Sequence, residues 1–262
     1  GNFAEQLIKG INNIVIFLSR SDDNVLVAII AVISVSDLIS IDSINWPAEL
    51  KQSICDQLQI TLVFDRYKSL YVIAASICTV TTFPSDIKNH VLPYIRQRTD
   101  FDSMMNARLF AIAAYIIVIM IGGFLLAGVV LNPFMTIETR GSSLYGIFQP
   151  LMNSKAAWIY LVLMSFNLAM SIIPVCYLAA AVAILKPDEY VAVGAGFFVF
   201  YLLFYFTVSL PWILSYSSLT SEPGRASVGE VIYHVVFFTI CSLAAAKCVK
   251  AVMQKRFLNG MD

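Results

Sequence analysis

Apolar and polar positions divide the chain into six long apolar stretches, preceded by one amphipathic stretch. In residues 3–18, FAEQLIKGINNIVIFL, Phe3, Leu7, Ile8, Ile11, Ile14, Val15 and Leu18 recur at helical spacing. Glu5, Gln6, Lys9, Asn12 and Asn13 fall on the opposite face. This pattern predicts an interfacial helix over residues 1–20, lying along a membrane rather than crossing it. A surface helix on a soluble core is the bland alternative, and it is weakened because nothing else in the chain is patterned as such a core. The same residues lack the continuous apolar run and small-residue cleavage site of a secretory signal.

The first predicted crossing covers residues 25–41, near the lower length limit of roughly 17 residues for a span, with Asp37 in its last turns. The second, 69–83, follows the charged cluster Asp65, Arg66 and Lys68 and borrows flanking residues to reach across. The third, 109–131, is apolar throughout. The fourth, 156–185, is long enough to tilt and carries Pro174, which is expected to kink it. The fifth, 190–214, holds Gly194, Gly196 and a dense aromatic run, with Pro211 bending or ending it. The sixth, 228–252, begins with Glu230 and His234 and ends with Lys247 and Lys250.

Composition agrees with this pattern. Of 262 residues, 59% are hydrophobic and 13% charged, against about 25% charged in ordinary soluble domains; mean hydropathy is +0.78. The expected fold is therefore all-α: one integral membrane domain over residues 1–262 with six transmembrane helices. Net charge is zero, so bulk charge points to no nucleic-acid partner. Charge placement is more informative. If both termini share a side, that side holds Lys9, Arg20, Lys88, Arg96, Arg98, Arg108, Lys186, Lys247, Lys250, Lys255 and Arg256, most of the 17 basic residues. The positive-inside rule then places both termini in the cytoplasm of a cell membrane, the bacterial plasma membrane being the expected one.

Motifs for chemistry within the chain are missing. There is no HExxH, GxSxG or CxxC, and the two histidines, His90 and His234, fall on opposite sides in this topology. No catalytic residue or metal ligand is expected. Three of the five cysteines, Cys78, Cys176 and Cys241, lie in apolar runs, where a thiol acts as a small hydrophobe. His234, four residues after Glu230, reads as an interfacial contact before it reads as a pH switch. Asp37 sits too near a helix end to suggest a proton relay.

The segment between the second and third crossings, PSDIKNHVLPYIRQRTDFDSMMNAR over 84–108, stands apart. Pro84 suits a first helical turn, with Ser85 and Asp86 near its start. Ile87, Val91, Leu92 and Ile95 recur on one face, predicting a short helix parallel to the membrane over 84–98. Arg96, Arg98 and Arg108 would hold the following turn near anionic headgroups. A solvated, positively charged loop is the plain alternative.

Asp86, the run LPYIRQR beginning at Leu92, and Arg108 ahead of LFAIAAYIIVIMIGG, set in this order of segments, resemble the permease subunit of ABC-2 type (type V) exporters. The layout covers essentially the whole chain, while the motif content is confined to 84–108. The chain departs from the family in having Asn89-His90 where a glycine commonly precedes the "lpyi" stretch. The resemblance implies that 84–98 is a cytoplasmic coupling helix docking on a separate cytosolic ATPase subunit, through Asp86, Ile87, Lys88, Val91, Leu92, Pro93, Tyr94, Arg96 and Arg98. It implies a second permease copy or paralogue, so that the chain is a half-transporter and no enzyme itself. ATP and Mg would be bound by the partner, since no GxxxxGK[ST] phosphate loop occurs here.

Tyr71, Phe197, Tyr201, Phe204 and Tyr205 are candidates for lining an export path for a hydrophobic or amphipathic peptide, drug or lipid-like molecule. Lipid-facing or core packing is the alternative for these aromatics. A non-transporting scaffold or receptor-like subunit and a secondary transporter stay open as rival functions.

Overall fold

The computed structural model describes residues 53–55, 58, 65–89, 101–132, 136–137, 148–152, 156–211, 213–216, 219 and 228–259. The interfacial helix expected over 1–20, the crossing at 25–41 with Asp37, and residues 90–100 lie outside them. Among the described residues the elements are all helical: α1 (Asp65–Thr79), α2 (Thr82–Lys88), α3 (Phe101–Leu131), α4 (Gln149–Met152), α5 (Ala157–Leu185), α6 (Glu189–Thr207) and α7 (Val228–Asn259). Five stretches are long and apolar enough to cross a membrane: Lys68–Lys88, Phe101–Leu131, Ala157–Leu185, Glu189–Thr207 and Val228–Arg256. They coincide with predicted crossings two to six.

Several features differ from the pattern. α3 begins eight residues before the apolar run, so Arg108 sits inside the helix rather than ahead of it. Apolar content marks where a helix is buried, not where its backbone starts to coil. α6 stops at Thr207, well short of the expected 214. Pro211 has no N–H to continue the ladder and disfavours helical geometry at Leu210. α7 continues to Asn259, seven residues past the expected end. Lys68, read as part of a polar cluster, is buried. α5 runs through Pro174 as one helix.

The chain forms two compact units, each drawn from three stretches. One comprises Gly1–Lys68, Val118–Leu168 and Thr220–Ile232. Its described core includes Phe124 and Ala127 from the C-terminal half of α3 and Leu161 and Met164 from the N-terminal half of α5. Gly128 makes that approach possible, because a Cβ there would lie 2.7 Å from the Trp158 ring. Backbone bonding from Ile54 N to Thr136 O (2.9 Å) fastens a preceding segment to this unit.

The other unit comprises Ser69–Ile117, Ala169–Leu219 and Tyr233–Asp262. Its core includes Tyr71, Val72, Ile172, Cys176, Phe200, Tyr216 and Phe238, all buried. α1 and α6 meet at Gly196, where an added Cβ would overlap Ser76 Oγ and approach Ser76 Cβ to 3.0 Å. Small residues allow such close helix contact, which in a membrane supplies packing that the hydrophobic effect does not. Gly194, the other glycine of this stretch, faces open space.

Candidate functional site

Thr79, Thr81 and Thr82 end α1 and begin α2. Their hydroxyls donate to the carbonyls of Ala75 (2.7 Å), Ile77 and Thr79 (2.7 Å), respectively. Threonine hydroxyls that bond back to preceding carbonyls satisfy groups orphaned at a helix end and bend the chain there. The turn at Val80–Thr81 follows. α2 thus starts two residues before Pro84, and Asp86 falls mid-helix instead of at a cap. The helix closes at Asn89, whose backbone N–H returns to Ser85 O.

This arrangement turns one face of α2 toward Arg108 on α3. Arg108 Nη1 pairs with Asp86 Oδ2 at 2.6 Å, and Nη2 donates to Thr82 Oγ1 at 2.9 Å. The guanidinium carbon lies 3.9 Å from the centroid of the buried Phe83 ring. Thr82 and Asp86 are four residues apart, so one helical face presents both oxygens to the planar fork. With the side chains only 17% and 33% exposed, Arg108 and Asp86 are shielded from much of the screening that weakens surface pairs.

Further contacts gather other helix ends in the same unit. Tyr177 of α5 donates to Leu109 O at 2.6 Å, next to the clamp. Arg256 donates to the carbonyls of Ile184 and Leu185 (3.1 Å to the latter), capping the C-terminus of α5 from α7. Lys250 Nζ stands 3.8 Å from the exposed Asp102 carboxylate, a looser pair. Asp188 caps α6 by accepting from Tyr190 N at 2.8 Å.

Of the residues expected to couple to a partner, Asp86, Ile87 and Lys88 are on α2, Ile87 half-buried and Lys88 exposed. Val91, Leu92, Pro93, Tyr94, Arg96 and Arg98 lie outside the described residues. Hydropathy alone does not single out Thr82 and Phe83; the run TVTT at 79–82 is the signal for them, since three hydroxyls so close to a proline suggest a helix end.

The aromatic run of α6 separates into two rows. Phe197 meets Tyr201 in a tilted contact with centroids 4.6 Å apart, Tyr201 stacks on Tyr205 at 6.1 Å, and Tyr205 is 67% exposed. Phe200, not singled out by the sequence, is 1% exposed and meets Tyr216 edge-on at 5.8 Å. Phe204 stacks on Phe200 at 6.5 Å. Tyr71 is fully buried, so the five path candidates do not share one accessible surface. Among the described residues, no cluster of three or more metal-ligating side chains occurs. No family model, curated protein or solved structure matches the chain.

Proposed function

We propose that this chain is the permease half of an ATP-driven exporter of the ABC-2 type, resident in the cell membrane with both termini cytoplasmic. It pairs with a second permease and with cytosolic ATPase subunits that bind ATP and Mg, and it moves a hydrophobic or amphipathic molecule outward. The observation that carries this reading is the Arg108 clamp. A force applied to the segment after α1 needs a stiff connection to reach a long apolar helix, and three contacts from one guanidinium provide it. Networks of packed and hydrogen-bonded side chains of this kind can carry coupling between sites.

Affinity purification of the tagged chain from native membranes tests the reading. A stoichiometric ATPase should accompany it, and Asp86→Ala with Arg96→Ala should release that ATPase or abolish substrate-stimulated turnover while the permease stays monodisperse. Retention of ATPase binding and turnover after disruption of 86–98 would remove the coupling assignment. Phe197 and Tyr205, exposed on either side of the half-buried Tyr201, support an apolar cargo, because exposed rings can take up hydrocarbon or aromatic surface.

A further inference from the structure

Within the unit that holds the clamp, a cavity of about 350 Å³ opens among α5, α6 and α7, walled by Pro174, Leu178, Leu203, Phe237 and Cys241. Its oxygen-bearing side chains, those of Thr207 and Tyr216, are already engaged. The Thr207 hydroxyl donates to Leu203 O (2.7 Å) and accepts from Tyr216 N (2.9 Å). The Tyr216 phenol donates to Ser171 O at 3.1 Å. A buried water needs two to four polar partners, and an apolar cavity of even roughly 150 Å³ stays dry and accepts a hydrocarbon guest. The size falls within the usual range for small-molecule sites, about 300–1,000 Å³.

The mouth indicates the source of that guest. Leu214, Ala244 and Cys248 line the cavity and are exposed. Beside them α7 presents Val236, Ile240 and Leu243 outward, and residues 235–246 contain no charged side chain. Immediately past this apolar stretch comes the exposed Lys247, three residues on from the exposed cavity-lining Ala244 and so its neighbour on the helix surface. An apolar slot with a cation at its rim matches an amphiphile with a hydrocarbon chain and an anionic head.

We infer that this cavity binds one acyl chain of an anionic membrane phospholipid, with its phosphate held at Lys247. The inference rests on the membrane-spanning reading of these helices and is independent of ATPase coupling.

Phosphatidylglycerol carrying a diazirine in its acyl chain, reconstituted with the full chain in liposomes, tests it after irradiation and peptide mapping. Adducts are expected on Leu178 and Phe237 as well as on the outward Ile240 and Leu243. Filling the cavity from either wall, by Ala245→Phe on α7 or Leu178→Trp on α5, should reduce the Phe237 adducts at least tenfold and spare those on Ile240 and Leu243. Lys247→Glu should erase the preference for this probe over a phosphatidylcholine analogue. Adducts on Ile240 and Leu243 without any in the cavity would overturn the site while leaving the membrane reading intact. Cavity adducts that survive both fillings would also overturn it. Absence of adducts everywhere would overturn the site and the membrane reading together.

Discussion

Two single residues carry much of the geometry of the clamp-bearing unit. Arg108 satisfies two oxygens and covers a ring at once, a combination that lysine cannot reproduce because its ammonium lacks the planar fork. Arg108→Ala is expected to destabilise the detergent-solubilised protein by about 1–3 kcal/mol, the usual cost of leaving shielded polar partners unmatched. Arg108→Lys should recover only part of that loss. Asp86→Ala combined with Arg108→Ala should cost less than the two single losses added together, and thermal unfolding of all four proteins measures the coupling. Gly196 acts through the atom it lacks. Gly196→Ala forces a methyl group onto Ser76 and should cost about 1–3 kcal/mol by overpacking, whereas Gly194→Ala meets open space and should be tolerated. Ser76→Gly in the Gly196→Ala background should restore most of the lost melting temperature. Without that restoration, the crossing of α1 and α6 is not where these two residues place it.

At the scale of elements, hydropathy predicted where crossings two to six lie but not where their helices end. The apolar run of α3 is visible in the sequence, but the extra turns that bring Arg108 inside the helix are coded by FDSMMNA, a polar stretch with ordinary helix propensity. The end of α6 was legible only in part. Pro211 signalled a break, while the residue that secures it, Thr207, looked like one more hydroxyl in an apolar helix. Its Oγ1 caps α6 by donating to Leu203 O, and it also accepts the amide of Tyr216 nine residues on. That second bond is long-range, and no local pattern announces it. Thr207→Val keeps the shape and removes both bonds, so hydrogen exchange at residues 208–216 should quicken while the α6 interior stays protected. Tyr216→Phe, which removes the bond to Ser171 O, should cost about 0.5–1.5 kcal/mol. Equal exchange in Thr207→Val and the parent protein would mean that Pro211 alone defines this end.

For the whole molecule, zero net charge conceals an ordered distribution. Asp86 with Arg108, Asp102 with Lys250, and Arg256 with the α5 C-terminus join helix ends that the alternation of crossings assigns to one membrane face. Arg108, Lys250 and Arg256 are among the basic residues that the charge rule assigns to that face. The charge rule and these side-chain contacts have different origins. The rule reflects insertion, which retains Lys and Arg on the cytoplasmic side, whereas the contacts reflect folding of helices already inserted. Both lead to one expected outcome. In a cysteine-free background, Lys88→Cys and Lys186→Cys should react with a membrane-impermeant maleimide only in inverted vesicles, and Gly224→Cys, in the loop between the last two crossings, only in intact cells. Reaction of Lys88→Cys and Lys186→Cys from opposite faces would break the alternation between the second and fourth crossings. Reaction of all three from one face would place Gly224 on the wrong side of the fifth. A complete exchange of the two patterns would keep every helix and invert the orientation, which would leave the clamp facing away from any cytosolic motor.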